Sequence, residues 1–486
     1  MSATRRTQRV CGLPAALIAA LASCTNGGGG ATAAQRGATA EQRGDLRGDE
    51  SEDEFPVVHV KGDADIVAPN ESGVARTVTP SGSIDTQSLF FRSLGSNGRA
   101  CVSCHVASQG WTVTPAALRH RFERTRGLDP IFRPNDGSTS PLADVSTVEA
   151  RRSAYDMLLR KGLIRVGLGI PKEAEFELVA VDDPYGFASA AELSLFRRPL
   201  PAANLEFLSG VMWDGRETLA GMSMRQDLAH QTNSATQGHA QKPDPLTDAQ
   251  REEIVAFETG LFFAQTLDFN AGPLDREGAR GGPETLGNTP FYLGINDTLG
   301  ADPTGKPFDP EAMTIFAAWS GLEGNRHDDA RGAVARGEEL FNQKPIDIAG
   351  VRGLNDALGV PVIRGTCTSC HNTPEVGNHS VALPLDLGLT DASRRTTDMP
   401  LYTLRNKATD ERLQTTDPGR ALITGKWKDV SRFKGPILRG LAARPPYFHN
   451  GFAATLPEVV DFYDSRFAIS FTAQEKSDLV AFLTSL

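Results

Sequence analysis

The 486-residue sequence predicts a mainly α-helical fold with long loops. The first sign is an internal repeat, because residues 247–261 align without gaps to residues 472–486. In each copy the opening threonine is followed three residues later by Gln250 or Glu475, which is the pattern of a helix-capping box. Apolar residues then recur at helical spacing, and few stretches of the chain alternate with the period of two that strands show. The repeat therefore predicts two similar domains that each end in a helix.

Each predicted domain also begins with a short helix. We place these helices at 88–94, with Phe90 and Phe91 as the buried face, and at 333–341. We assign residues 56–267 to the N-terminal domain and residues 328–486 to the C-terminal domain. The segment 268–327 between them is rich in Gly, Pro and Asp. Because a structureless loop of this length is uncommon, we interpret the segment as an ordered connector rather than a third domain.

The N-terminus has the features of an export signal. Residues 1–23 contain a basic start and an apolar run that is shorter than the ~20 residues needed to span a bilayer. The signal runs into Leu21-Ala22-Ser23-Cys24, which resembles a bacterial lipobox, and Thr25 after the cysteine suggests the outer membrane. The alternative is an ordinary signal peptide with a chance cysteine. Residues 24–55 contain almost nothing to bury and predict a flexible tether, so we expect a periplasmic lipoprotein anchored to the outer membrane.

Charge and cysteine usage narrow the function classes. The chain has 50 Lys and Arg against 60 Asp and Glu, and the net charge of −10 argues against nucleic acid as a partner. Of the six cysteines, Cys11 lies in the signal and Cys24 in the lipobox. The other four form two Cys-x-x-Cys-His motifs, so no cysteine remains for a disulfide.

These two motifs carry the strongest functional signal. They are Cys101-Val102-Ser103-Cys104-His105 and Cys367-Thr368-Ser369-Cys370-His371. In this spacing the two thiols form thioethers to the edge of a porphyrin, and the adjacent histidine reaches the iron. We therefore predict two covalently attached haems c with His105 and His371 as iron ligands; zinc or redox Cys-x-x-Cys sites are the alternative. The ligand on the other side of each iron then decides between electron transfer and catalysis.

Three further segments carry a family resemblance. They are Val211-Met-Trp-Asp-Gly-Arg-Glu-Thr-Leu219, the stretch from Phe433 through Arg444-Pro-Pro-Tyr-Phe-His-Asn-Gly451, and Thr455–Tyr463. Most of residues 86–486 resembles the bacterial di-haem cytochrome c peroxidase and MauG family. The resemblance implies two cytochrome c-like domains whose haems face a shared interface, with peroxide reacting at the N-terminal haem. It also implies that Trp213 lies between the haems; the alternative is a core aromatic.

The resemblance predicts an unusual ligand for the second haem. Typical peroxidases of the family have a methionine at the position of Tyr463, whereas MauG has tyrosine. Tyr463 is therefore expected to bind the iron held by His371, unless it merely packs within its helix. An anionic phenolate favours Fe(III), so this haem should have a low reduction potential.

The acid/base group of the first haem is less clearly marked. The family has a glutamine and, ten residues later, a glutamate that works on bound peroxide; Gln231 and Gln241 take these positions here. An amide cannot shuttle a proton, so His239 is the alternative acid/base. His230 is either an iron ligand or a helix-surface residue, and His120 is either a removable iron ligand or part of a basic helix face.

The family also binds calcium between its haems, and here the corresponding positions fall near Arg197 or Arg198 and on Arg444. Arginine has no acceptor atoms and repels a divalent cation. We therefore expect this calcium site to be lost or altered.

The sequence thus predicts a haem-dependent peroxidase that reacts with hydrogen peroxide at the N-terminal haem. Its oxidising equivalents would pass to a small redox protein, as in cytochrome c peroxidases, or to a protein substrate, as with MauG. The alternative is a membrane-anchored di-haem electron-transfer cytochrome without peroxidase activity.

Overall fold

Helices and short strands are interleaved along the chain in a computed structural model that describes residues 66–486. The helices are α1 Pro115–Thr125, α2 Val148–Ala154, α3 Asp156–Lys161, α4 Met224–Gly238, α5 Asp248–Thr259, α6 Pro283–Leu286, α7 Arg326–Gln343, α8 Asn355–Leu358, α9 Ala421–Thr424, α10 Leu456–Phe467 and α11 Ala473–Thr484. The strands are β1 Ile66–Asn70, β2 Gly73–Val78, β3 Ile164–Leu168, β4 Phe176–Asp182, β5 Leu193–Arg197, β6 Phe262–Asp268, β7 Gly272–Pro273, β8 Ile346–Ala349, β9 Val362–Gly365, β10 Leu401–Asn406 and β11 Arg412–Thr415. Within the described residues, helices together with 3-10 turns account for about 31%, and strands together with isolated bridges account for about 16%.

The structure contains more strands than the sequence pattern predicts. They form four antiparallel sheets among the described residues, with strand orders β1-β2-β6-β7, β11-β10-β4, β3-β5 and β8-β9. The strands are short, and β5 is buried at all five positions, so it lacks the alternation of buried and exposed residues that marks a half-exposed strand. The prediction of a mainly helical fold is therefore right only in part.

The two predicted closing helices are confirmed as α5 and α11. Thr247 and Thr472 cap them, and each threonine side chain accepts a hydrogen bond from the backbone N–H of the residue three positions on. The second opening helix is also confirmed and is longer than predicted, because it is α7. The first is wrong: residues 89–91 form only a single 3-10 turn, since Arg92 is already extended and ends it.

Helices α7 and α11 cross in direct backbone contact. A Cβ atom added at Gly337 would lie 2.0 Å from the carbonyl oxygen of Asp478 and 2.7 Å from Cβ of Phe482. Glycine is thus required on α7 for this close approach. Phe341 lies on the same helix, and its ring is 5.8 Å from that of His371.

We therefore expect Gly337→Ala to lower the free energy of unfolding by about 1–3 kcal/mol, because the helices must separate to admit a methyl group. Gly238→Ala is the matched control, because a Cβ there meets nothing within 4 Å at the end of α4. That control should be neutral or stabilising by up to about 1 kcal/mol. Thermal unfolding of the two variants checks the opposite signs; equal effects would contradict the close crossing.

The segment predicted as a connector is packed into the core. Met313, Ile315, Phe316 and Trp319 are buried in the same hydrophobic cluster as residues of α7 and α11. Apart from residues 219–221, the described chain forms one compact unit that carries both Cys-x-x-Cys-His motifs. The domain boundaries remain predictions.

The predicted signal at 1–23 and the tether at 24–55, including the lipobox cysteine, lie outside the described residues. Within residues 66–486, no helix combines the length and the apolar character needed to cross a membrane.

Candidate functional site

The two Cys-x-x-Cys-His motifs have the same local structure. Each begins with a 3-10 turn, Cys101–Ser103 or Cys367–Ser369. In each, the backbone N–H of the histidine donates to the carbonyl of the first cysteine at 3.0 Å. The second motif lines a cavity with both cysteines and the histidine, and the first motif lines another with Cys104 and His105. We call the cavity lined by Cys104 and His105 the first cavity, and the one lined by Cys370 and His371 the second cavity.

Both motif histidines are held in the tautomer that suits an iron ligand. His105 Nδ1 lies 3.1 Å from the carbonyl oxygen of Trp111, and His371 Nδ1 lies 2.6 Å from that of Gly377. Each acceptor is six residues beyond its histidine and has a positive φ, 57° at Trp111 and 79° at Gly377. Because a carbonyl only accepts, Nδ1 must donate, which leaves a lone pair on Nε2. Desolvation lowers the pKa of His105 to about 4 and also lowers that of His371, so both rings are neutral at pH 7.

One face of α4 lines the first cavity. Gln231, Ala235 and His239 are spaced by four residues, which places them on the same side of the helix, and all three line the cavity. Gln241 is not among the described residues that line it. The helix ends at Gly238, and Gln241 has a φ of 55°, so the chain has left the helical path there. The structure thus brings Gln231 and His239 to the first motif and leaves Gln241 outside.

His239 has a charged partner that the sequence did not indicate. Its Nδ1 forms a short hydrogen bond with Asp136 Oδ2, and Asp136 Oδ1 accepts from Arg99 Nη1. Asp136 also lines the first cavity. It lies in an irregular loop after α1, where no periodic pattern could have marked it.

The second cavity brings Tyr463 of α10 together with His371. Both residues line it, along with Cys367 and Cys370, and its space, part of which opens to solvent, is about 1730 Å³. No described residue hydrogen-bonds to the Tyr463 hydroxyl. Desolvation raises the pKa of Tyr463, so the unbound side chain is a neutral phenol. The structure therefore offers the phenol oxygen as a second donor in the same cavity as the motif histidine.

His449 adds an unpaired polar atom to the second cavity. Its Nε2 is buried and has no hydrogen-bond partner among the described residues, while its ring stacks on Phe433 at 4.0 Å. Desolvation lowers the pKa of His449 to about 4. A buried, unpaired nitrogen is costly unless a bound group completes its hydrogen bonding.

Trp213 lies in the wall that the two cavities share, because it lines both. Its indole Nε1 donates to the carbonyl of Arg198 at 2.8 Å, and its own carbonyl accepts from the backbone N–H of Lys434 at 2.9 Å. The ring is 6.1 Å from that of His449. Trp213 is thus held by hydrogen bonds at both its indole ring and its backbone.

Three cations line both cavities without a carboxylate partner in the described part of the chain: Arg198, Lys434 and Arg444. Desolvation lowers their pKa values to about 9, about 8 and about 10. They still carry positive charge at neutral pH, which requires compensation. Haem propionates are carboxylates, so this cluster, the unpaired His449 nitrogen and the two motif histidines all fit bound haem.

The arginines at the expected calcium positions have separate partners. Arg197 is buried and binds Asp417 through Nε and Nη2, at 2.7 and 2.9 Å, and Asp214 through Nη1 at 2.5 Å. Arg198 and Arg444 donate to backbone carbonyls instead. Loss of the calcium site stays a prediction.

The two remaining candidate histidines do not line either cavity. His230 Nδ1 is 2.5 Å from Glu217 Oε2, and its side chain is half exposed on α4. His120 lies on α1 among basic residues. Neither position supports the alternative that these residues bind iron.

Comparison with known proteins supports the resemblance. Cytochrome-c peroxidase IdrP1 of Pseudomonas sp. (strain SCT) is 31% identical over 211 residues, which cover 37% of this chain and 54% of the relative. Cytochrome-c peroxidase IdrP2 of Denitromonas iodatirespirans is 30% identical over 25% of this chain and 36% of its own length. Cytochrome c551 peroxidase of Nitrosomonas europaea is 33% identical over 26% of this chain and 33% of its own length. The chain thus spans about half the length of the first relative and about a third of the others. No protein-family model matches the chain.

Among solved structures, a MauG-like protein associated with microbial copper homeostasis aligns with a TM-score of 0.37 and 16% sequence identity. The alignment covers 86% of this chain and 92% of that protein. The sequence relatives confirm the resemblance to the bacterial cytochrome c peroxidases.

Proposed function

We propose that this chain, a relative of the bacterial cytochrome c peroxidases, is a di-haem peroxidase. It would hold two covalent haems c, react with hydrogen peroxide at the first motif, and share the oxidising equivalents with the second. The observation that carries the proposal is the position of Trp213 in the linings of both cavities, each of which also contains a motif histidine with its Nδ1 engaged. A bound haem supplies an iron that takes up peroxide and the electrons that reduce it.

At the first cavity His105 Nε2 would hold the iron, and Gln231 and His239 line the same cavity. The Gln231 amide offers both a donor and an acceptor to peroxide. The His239 imidazole accepts the proton of the peroxide O–H at Nε2 and returns it to the oxygen that leaves as water. Gln231 therefore orients the substrate, and His239 moves the proton.

At the second cavity His371 and Tyr463 would hold the iron. A phenol must lose its proton to bind iron, and desolvation opposes that loss, so the ferric charge has to favour it. The phenolate of Tyr463 would then favour the oxidised state of the iron. Trp213, held by the Arg198 carbonyl, is the aromatic group that connects the cavities.

The oxidising equivalents would be discharged by a small redox protein or by a side chain of a protein substrate. The periplasm, with a lipid anchor in the outer membrane, is the proposed location. Neither haem requires calcium in this proposal, because Arg198 and Arg444 supply the positive charge between the cavities.

The experiment is absorption and EPR spectroscopy of the ferric protein before and after hydrogen peroxide. We expect one high-spin and one low-spin haem, and spectral changes at both after peroxide. His105→Gly should abolish the reaction, whereas His371→Gly should leave the high-spin signal of the first haem in place. Two low-spin haems that do not respond to peroxide would overturn the proposal.

A further inference from the structure

Asp136 joins two side chains at the edge of the first cavity. It is only 6% exposed, and its two carboxylate oxygens bind different partners. Oδ1 accepts from Arg99 Nη1, and Oδ2 accepts from His239 Nδ1. The three side chains therefore form a chain from the interior to the cavity, with His239 at its open end.

Arg99 is fixed by bonds other than the one to Asp136. It is 2% exposed; its Nε donates to the Pro130 carbonyl at 2.8 Å and its Nη2 to the Ile131 carbonyl at 2.6 Å. Burial by itself would raise the pKa of Asp136, but the Arg99 charge and the hydrogen bond from His239 outweigh it and hold that pKa below its usual range. The carboxylate is thus ionised and held in place.

His239 is held at its backbone as well as its ring. Its N–H donates to the Ala235 carbonyl at 2.8 Å as the last turn of α4 closes, and its carbonyl accepts from Asn97 Nδ2 at 2.7 Å. Because an ionised carboxylate only accepts, Nδ1 must carry the proton. In the neutral imidazole, Nε2 is then the nitrogen that carries the lone pair.

We infer that Asp136 and Arg99 are positioning residues that hold His239 ready to take the peroxide proton. The inference rests on the proposed function. In the step, the peroxide O–H bond breaks and an Nε2–H bond forms, while the Nδ1 proton stays between His239 and Asp136. The imidazolium that results is balanced by the Asp136 carboxylate, whose other oxygen remains bound to Arg99.

The chain offers a matched control on the same helix. His230 of α4 makes the same kind of bond, from Nδ1 to a Glu217 carboxylate, but neither residue lines the first or the second cavity. Changing Glu217 to Gln alters a carboxylate–histidine pair without touching the first cavity.

The test measures the rate at which the purified holoenzyme reacts with hydrogen peroxide. Asp136→Asn should slow the reaction by a factor on the order of 10²–10⁴, because an amide does not hold the histidine in the required tautomer. His239→Gln should slow it similarly, and the double variant should be no slower than His239→Gln alone, because Asp136 acts through His239. Glu217→Gln should react like the wild type.

A second readout does not depend on turnover. Carbon monoxide bound to the reduced first haem has an infrared stretching band that responds to nearby polar groups. We expect Asp136→Asn and His239→Gln to shift this band and Glu217→Gln to leave it unchanged. If Asp136→Asn fails to retain both haems, Asp136→Ala with added formate replaces it, and recovery of the peroxide rate by formate is the expected result.

The outcomes separate the two proposals. A wild-type protein that does not react with peroxide overturns the proposed function. A wild-type protein that reacts, with a slow His239→Gln variant and a normal Asp136→Asn variant, overturns only the positioning role. Rate losses that add in the double variant would likewise show that Asp136 does not act through His239.

Discussion

Tyr463→Met is expected to raise the reduction potential of the second haem by a sizeable part of the roughly 0.8 V range that axial ligands span. A thioether favours Fe(II), whereas an anionic phenolate favours Fe(III) and higher oxidation states. The wild-type haem should therefore be a poor store of reducing equivalents but able to share oxidation with the first haem. In the variant it should become an electron store, as in methionine-ligated haems.

Spectroelectrochemical titration of both haems gives the measurement. Tyr447→Phe is the matched control, because Tyr447 lines the same cavity but its hydroxyl already donates to the Leu441 carbonyl at 3.1 Å. That control should leave the potential and the EPR signal of the second haem unchanged. An unchanged potential in Tyr463→Met would exclude the phenolate as a ligand. Because the phenol must lose its proton to bind, ligation in the wild type should weaken as the pH falls.

The local patterns of the sequence were sufficient for the helices that end the two halves. A capping box and apolar spacing act within one helix, so α5 and α11 could be located from the residues alone. The length of the predicted helix at 88–94 was overestimated: only residues 89–91 form a turn, because the backbone is already extended at Arg92. Strand β5 was missed for a different reason: its five buried positions erase the alternation that marks a half-exposed strand.

The residues of the candidate site could also be predicted only in part from the sequence. Motif spacing identified His105 and His371, and the position relative to a family motif identified Tyr463. The structure places His105 in the first cavity and the other two residues in the second. Asp136 and Arg99 escaped because their meeting with His239 depends on a loop contact between residues more than 100 positions apart. The internal repeat does not predict which side chains the two copies have in common, because Glu258 aligns with Leu483. Glu258 lines the first cavity, and burial raises the pKa of Glu258 to about 8.

Arg197→Met is expected to lower the free energy of unfolding by about 3–5 kcal/mol, because it leaves two buried carboxylates without their shared cation. Arg197 holds Asp214 on one side and Asp417 on the other, and all three side chains are almost fully buried. Asp214 adjoins Trp213, so the loss should also loosen the indole in the shared wall. Removing a buried cation that pairs with two carboxylates costs more stability than removing a cation at the surface.

The pH dependence makes this prediction specific. In the wild type, burial would raise the pKa of Asp214, but Arg197 and Arg216 outweigh it and lower that pKa to about 2, below the unfolded value of about 3.9. Asp214 therefore stabilises the protein at neutral pH, and this contribution is lost as the pH falls from about 4 toward 2. Without Arg197, only the partly exposed Arg216 opposes the effect of burial, so the pKa of Asp214 should rise above its unfolded value and the variant should lose stability as the pH rises above about 4.

The deficit of Arg197→Met should consequently be largest at pH 7 and shrink toward pH 4, which denaturant unfolding at the two pH values measures. Arg225→Met is the control, because Arg225 pairs with Glu252 at a site where both side chains are about half exposed. Water already screens that pair, so its loss should cost no more than about 1 kcal/mol at either pH. A deficit for Arg197→Met that matches the control, or that does not change with pH, would mean that the buried carboxylates do not depend on Arg197.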